Sequence, residues 1–171
     1  ERAAMARDVA LLEVENQPWI FYGKGAVALY LLRDYIGAER VNGALRTYFQ
    51  KNASGTPPFP TSLDLDAELR AVTPDSLQYL LTDLFETVTL WDLKTERASV
   101  ERTANGEYAV TIDVVAQKVR ADSMGRPTEI PMDDLVEVGV FATKDDSNRS
   151  GGPLYLKRHR ITSGKQTITV V

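Results

Sequence analysis

The chain has 171 residues, 43% of them hydrophobic, enough to bury a core in one domain or two small ones. A net charge of -4 and a pI near 5.1 supply no clustered positive field for a phosphate backbone, so nucleic acid is excluded as an expected partner. With no cysteine and a single histidine, His159, the chain has neither a disulfide framework nor the ligands for a zinc site of its own.

Glu1 opens a charged stretch through Asp8 with neither an initiator Met nor a signal-peptide pattern, and the chain reads as an excised fragment. Pro18 suits the first turn of a helix that runs through Trp19, Tyr22, Ala26, Leu29, Tyr30 and Arg33 and stops at Gly37. This helix is apolar on most of its circumference, which predicts burial between neighbours in the middle of the helical half. Its longest apolar run, Ala26 to Leu32, is far shorter than the ~20 residues that span a bilayer. No membrane insertion by this chain is expected.

Val41, Ala44, Leu45, Tyr48 and Phe49 form one stripe at a period of 3.6 residues, a second helix. The prolines at 57, 58 and 60 end it in a loop. Thr61 or Ser62 then caps a short helix bearing Leu65, Leu69 and Val72. Thr73 and Pro74 open a fourth, striped by Leu77, Leu80, Leu81, Leu84 and Phe85.

Near Thr87 the period changes to two. Tyr108, Val110, Ile112 and Val114 alternate with Ala109, Thr111 and Asp113, a half-buried strand preceded by the hairpin signal Asn105-Gly106. Further strands are predicted over Leu93 to Thr103, Leu135 to Thr143, Leu154 to Ile161 and Gln166 to Val171, with Ser163 and Gly164 turning the last pair. Lys144 to Gly152 reads as an exposed loop. The predicted class is α+β, with a helical part over residues 1–87 and a small antiparallel β-sandwich over 88–171.

Phe21, Tyr22, Gly23, Lys24, Gly25 and Ala26 open the apolar helix, and this stretch resembles a motif of zinc aminopeptidases of the aminopeptidase N type, the gluzincins. There a tyrosine followed by a Lys-Gly-Ala-like triplet opens a buried helix downstream of the metal-binding His-Glu-x-x-His helix. The likeness continues through Gly37 to Tyr48, with Gly37, Val41, Leu45, Arg46 and Tyr48 at the family's positions, and through Pro60 to Leu65. Leu84 to Leu93 and the sheet half are most similar to a bacterial branch in which the peptidase region is fused behind membrane-spanning, permease-like segments. The resemblance covers the whole chain. One departure is Gly23, where the family often has Glu; Gly weakens a helix by roughly 1 kcal/mol relative to Ala and predicts an irregular start.

The resemblance implies that residues 1–87 are the end of a thermolysin-like catalytic domain and that 88–171 are an accessory β-sandwich. It implies one catalytic residue, Tyr22. A phenol stays protonated at neutral pH and can donate a hydrogen bond to the oxyanion that develops on an attacked carbonyl. The zinc ligands, the motif glutamate and the loop that reads the substrate amine lie upstream in family members and have no counterpart here. The implied cofactor is therefore zinc in the parent enzyme and none in this chain, which is expected to be inactive alone. The implied partners are the upstream catalytic domain of its own chain and, in the parent, a peptide substrate. A soluble fragment of a membrane-anchored parent is the implied setting. A second reading, of a different class, is a non-enzymatic interaction or accessory module of a membrane transport protein.

Other polar groups read as structural. His159, between Arg158 and Arg160, is expected to sit exposed on a basic strand. The pairs Asp133-Asp134 and Asp145-Asp146 lack calcium-loop spacing and read as solvated turns. Gly23, Lys24 and Gly25 lack the pattern of a phosphate loop. The acceptor patterns at Asn52 and Asn148 carry no weight.

Overall fold

A computed structural model describes residues 8–142 and 152–171. Helices come first and antiparallel strands follow, giving an α+β protein. The chain divides into two compact units: one runs to Thr89 and takes in Arg120–Thr128, and the other comprises Leu90–Val119 and Glu129–Val171. No helix among the described residues is long and apolar enough to cross a membrane.

In the helical unit, a short turn at Leu11–Glu13 precedes the stretch that begins after Pro18. Its first six residues, Trp19–Lys24, are wound as a π-helix, and Gly25–Ile36 continue it as helix α1. The wide winding shows in the bond from the Gly25 N–H to the Ile20 carbonyl, five residues back. Gly23, the poorest helix former in the stretch, lies inside it, where the sequence predicts an irregular start. Helix α1 stops at Gly37, whose φ of 91° is open chiefly to glycine and whose N–H donates to the Arg33 carbonyl at 2.8 Å.

Helix α2, Ala38–Lys51, buries Val41 and Ala44 of the predicted stripe and leaves Phe49 exposed. Helix α3, Ser62–Val72, starts at Thr61, whose N–H and hydroxyl both donate to Asp64 Oδ2, at 2.6 and 2.8 Å. The predicted fourth helix changes winding twice, through a tight turn at Asp75–Leu77, helix α4 at Gln78–Leu81 and a π turn at Thr82–Glu86. Leu32, Leu69 and Leu81 are the largest fully buried side chains of this unit, each stabilising the fold by about 1.5–3 kcal/mol through its removal from water.

Among the described residues six strands follow: β1 Val88–Arg102, β2 Tyr108–Ala121, β3 Pro127–Ile130, β4 Asp133–Phe141, β5 Pro153–Thr162 and β6 Gly164–Val170. The first three neighbour one another in that order, β6 joins β2, and β4 and β5 form a separate two-stranded sheet. The Asn105-Gly106 turn is where the sequence puts it: Gly106 has a φ of 86°, and the Thr103 N–H donates to the Glu107 carbonyl at 2.8 Å. The β2–β3 turn repeats the pattern, with Gly125 at a φ of 78° and the Asp122 N–H donating to the Arg126 carbonyl.

Strand β3 has no counterpart in the sequence reading. It is four residues long, begins at Pro127 and is followed by Pro131, so neither alternation nor length announces it. The last two strands also differ from expectation, for β5 pairs with β4 and β6 pairs with β2. Ser163 commits both its groups to Met132: its N–H donates to the Met132 carbonyl and its hydroxyl accepts from the Met132 N–H. Gly164, at a φ of 94°, then turns the chain from one sheet into the other. The predicted loop from Lys144 onward and the pair Asp145-Asp146 fall almost wholly outside the described residues, as does Asn148.

The two sheets share one core within their unit. Ala116, Ile168 and Val170 enter from one side, Ile161 and the half-buried Val136, Val138 and Val140 from the other. Alternation along β2 places residues 110, 112, 114, 116 and 118 inward, and along β4 residues 134, 136, 138 and 140. Lys118 and Asp134 are therefore both carried into the core, which corrects the reading of Asp134 as a solvated turn residue. The Lys118 ammonium lies 3.1 Å from Asp134 Oδ1 and 2.9 Å from Oδ2, and the Trp91 indole N–H donates to Oδ2 at 2.7 Å. Asp133 does face solvent, where it pairs with Arg160.

Candidate functional site

Tyr22 lies in the π-wound stretch that leads into α1. Gly25, Ala28, Leu32 and Ile36 form the packed face of the helix, which its described neighbours, among them α2, cover. The opposite face is open. Trp19 is 62% exposed, Tyr22 75%, Val27 67% and Tyr30 68%. This corrects the expectation that a helix apolar on most of its circumference is enclosed on all sides: periodicity registers that both faces are apolar, but not which of them has a neighbour.

Positions 22, 26 and 30 follow one another at four-residue spacing, so Tyr22 heads an exposed stripe continued by Ala26 and Tyr30. The Arg33 guanidinium lies 5.7 Å from the centroid of the Tyr30 ring at the far end of that stripe. The ring of Tyr22 packs against Phe21, centroids 4.6 Å apart and tilted by 51°. Lys24 lies 3.8 Å from Asp8. The arrangement presents a phenol as a hydrogen-bond donor on an apolar surface, fixed by the helix on one side and by an aromatic contact on the other.

Zinc requires three or four nitrogen, oxygen or sulfur ligands converging on one point. Among the described residues no three His, Asp or Glu side chains stand together in that way. His159 belongs to a different setting from the one its basic neighbours suggest. It is half-buried on the same face of β5 as Tyr155 and Ile161, and Tyr155 Oη lies 2.7 Å from its Nε2.

The sequence reading missed Asp66. This carboxylate is 7% exposed on the inner side of α3, one residue after Leu65 and three before Leu69. Its Oδ2 accepts from Arg70 Nε at 2.7 Å. Arg70 also pairs with Glu86 and donates to Gln78 Oε1 at 3.2 Å. Asp66 Oδ1 is buried and has no hydrogen-bond partner among the described residues. The available signal was an acidic residue inside an apolar stripe with an arginine four positions on.

Comparison of the chain with protein-family models, with curated proteins and with solved structures found no match.

Proposed function

We propose that this chain is the C-terminal part of a zinc-dependent aminopeptidase that removes N-terminal residues from peptides, to which it contributes Tyr22 and no metal ligand. The supporting observation is the presentation of Tyr22. Its phenol is three-quarters exposed at the head of α1, not packed into the next helix, and the motif from Phe21 to Ala26 surrounds it. In this reading the phenol donates a hydrogen bond to the oxyanion formed when a peptide carbonyl is attacked, a role for which a fixed neutral donor suits. The open face of α1 packs against the upstream catalytic domain, and the two sheets form an accessory β-sandwich that buttresses it. Isolated, the chain neither holds zinc nor hydrolyses substrate.

The test is hydrolysis of aminoacyl-anilides by a longer protein that contains this chain, native against Tyr22→Phe at equal zinc occupancy. Loss of one oxyanion donor lowers turnover about 100- to 1,000-fold. Unchanged activity would return Tyr22 to a packing role. Stoichiometric zinc in the isolated chain by elemental analysis would overturn the division of labour.

The open aromatic face also favours a second reading, a non-enzymatic accessory module of a membrane transport protein in which Trp19, Tyr22 and Tyr30 dock another protein. A longer native protein without peptidase activity would move the assignment to it.

A further inference from the structure

We propose that Asn105, at the tip of the β1–β2 hairpin, is a site of spontaneous covalent modification, where the asparagine closes on the following glycine and becomes aspartate or isoaspartate. A second Asn-Gly pair, Asn42 and Gly43, is protected from the same reaction. Both pairs stand in the sequence and both asparagines are exposed, so neither residue type nor solvent access separates them. Their backbone settings do.

The reaction needs only water. The Gly106 amide nitrogen attacks the side-chain carbonyl carbon of Asn105 and a C–N bond forms. The bond from that carbon to Nδ2 breaks, and Nδ2 leaves as ammonia with the proton given up by the Gly106 nitrogen. Water then adds to one of the two carbonyls of the cyclic imide and reopens it. Opening on the side-chain side gives aspartate; opening on the main-chain side gives isoaspartate and routes the chain through the former side chain. No electrons are exchanged with another reagent. A side chain on the attacking residue would crowd the ring closure, and Gly106 has none. Chain neighbours aside, a β-carbon built there would meet only Arg102 Nη2, at 3.9 Å.

In the native turn the Gly106 N–H donates to the Thr103 carbonyl at 3.0 Å. Ring closure must break that bond and rotate the Asn105 backbone. Residues 104 to 107 are all exposed, so no buried side chain moves, and local opening at such a turn costs little. Asn42 lies inside helix α2, whose winding commits the Gly43 N–H to the Glu39 carbonyl. Thr47 Oγ1 also donates to the Gly43 carbonyl at 3.0 Å. Val41 and Ala44, on either side of the pair, are 3% and 1% exposed. Closure at Asn42 therefore requires unwinding a packed helix, which draws on a far larger share of the global stability.

The test is a time course of the full chain in mildly alkaline buffer, native and urea-unfolded, read by peptide mapping in a mass spectrometer and by enzymatic methyl labelling of isoaspartate. In the native chain the Asn105 peptide converts, and the Asn42 peptide converts at least about tenfold more slowly. In urea the two convert at similar rates. Asn105→Gln removes the isoaspartate signal from the native chain and leaves the Asn42 peptide as it was. Equal conversion of the two pairs in the native chain, faster conversion at Asn42, or an Asn105 peptide that stays intact while the unfolded chain converts would overturn the proposal. Mass and methyl label are the readouts, so the result is independent of any peptidase activity.

Discussion

Both units of the molecule bury carboxylates, and two of these, Asp134 and Asp66, are treated differently. In the sheet unit, Asp134 is saturated: both oxygens meet Lys118, and one also accepts from Trp91. In the helical unit, Asp66 gives one oxygen to Arg70 and keeps the other buried and unpartnered among the described residues. A saturated buried pair fixes how two strands face each other and has nothing left to offer a ligand. An unsaturated one carries a desolvation cost that no hydrogen bond offsets, so burial alone does not say how firmly a carboxylate is held.

The contrast breaks most readily at Asp134. Asp134→Asn removes a carboxylate that meets the Lys118 ammonium through both oxygens in the core and is expected to cost about 3–5 kcal/mol in urea unfolding. Lys118→Met combined with Asp134→Leu should restore most of that, since an apolar pair of similar volume replaces a buried ion pair at little cost. A single-variant loss below about 1 kcal/mol would mean that the pair is not insulated from water.

Apolar packing sets the scale in the other unit. Leu81→Ala empties a fully buried position and is expected to cost about 2–5 kcal/mol by the same measurement. Asp66→Asn should cost much less, about 1 kcal/mol, because Arg70 is partly exposed and keeps Glu86. Were the losses at Asp66 and Asp134 equal, the distinction between a saturated and an unsaturated carboxylate would fail.

Acid sharpens the comparison further, through two surface carboxylates of the helical unit. The Thr61 N–H and then its hydroxyl hold the Asp64 carboxyl below its usual 3.8. For Asp122 the Arg126 N–H is the largest cause, helped by the Met124 N–H and the Arg126 side chain. A carboxyl whose folded value lies below its unfolded one stabilises the fold above the unfolded value. That contribution is lost as pH falls from about 4 through the folded value. Protection factors at the start of α3 and at the β2–β3 turn, taken relative to the intrinsic exchange rate at each pH, should therefore fall on acidification below pH ~4, and Asp64→Asn and Asp122→Asn should each flatten the dependence at their own site. A protection profile insensitive to pH would rule this out. The smallest effect is expected at Tyr22→Phe, within about 0.5 kcal/mol of native stability, since the ring contact with Phe21 is kept and the hydroxyl is exposed. A larger loss would show that the hydroxyl is structural.

Much of the fold was legible in the residues. Gly37 marks the end of α1, Thr61 the start of α3 and Asn105-Gly106 the first hairpin, because caps and positive-φ turns are decided within a few residues. Strand β3 was not legible, since its four residues begin with one proline, are followed by another and are held by pairing with β2. The routes of β5 and β6 were also hidden, because Ser163 bonds to Met132, which is distant in sequence. For the candidate site, the motif around Tyr22 stands in the sequence, while the openness of its face does not.

The sequence by itself determined the class, the helix ends, the hairpin turn and the alternation of β2 from Tyr108 to Val114, all of which follow from local sterics and from periods of 3.6 and 2. Only the tertiary structure decided that Lys118 and Asp134 are both carried inward and meet, that Arg70 is divided between Asp66 and Glu86 so that one oxygen is left over, and that one apolar face of α1 is packed while the other is open. Those outcomes depend on which distant surfaces approach, and charge pairing and desolvation act on spatial neighbours whatever their separation along the chain.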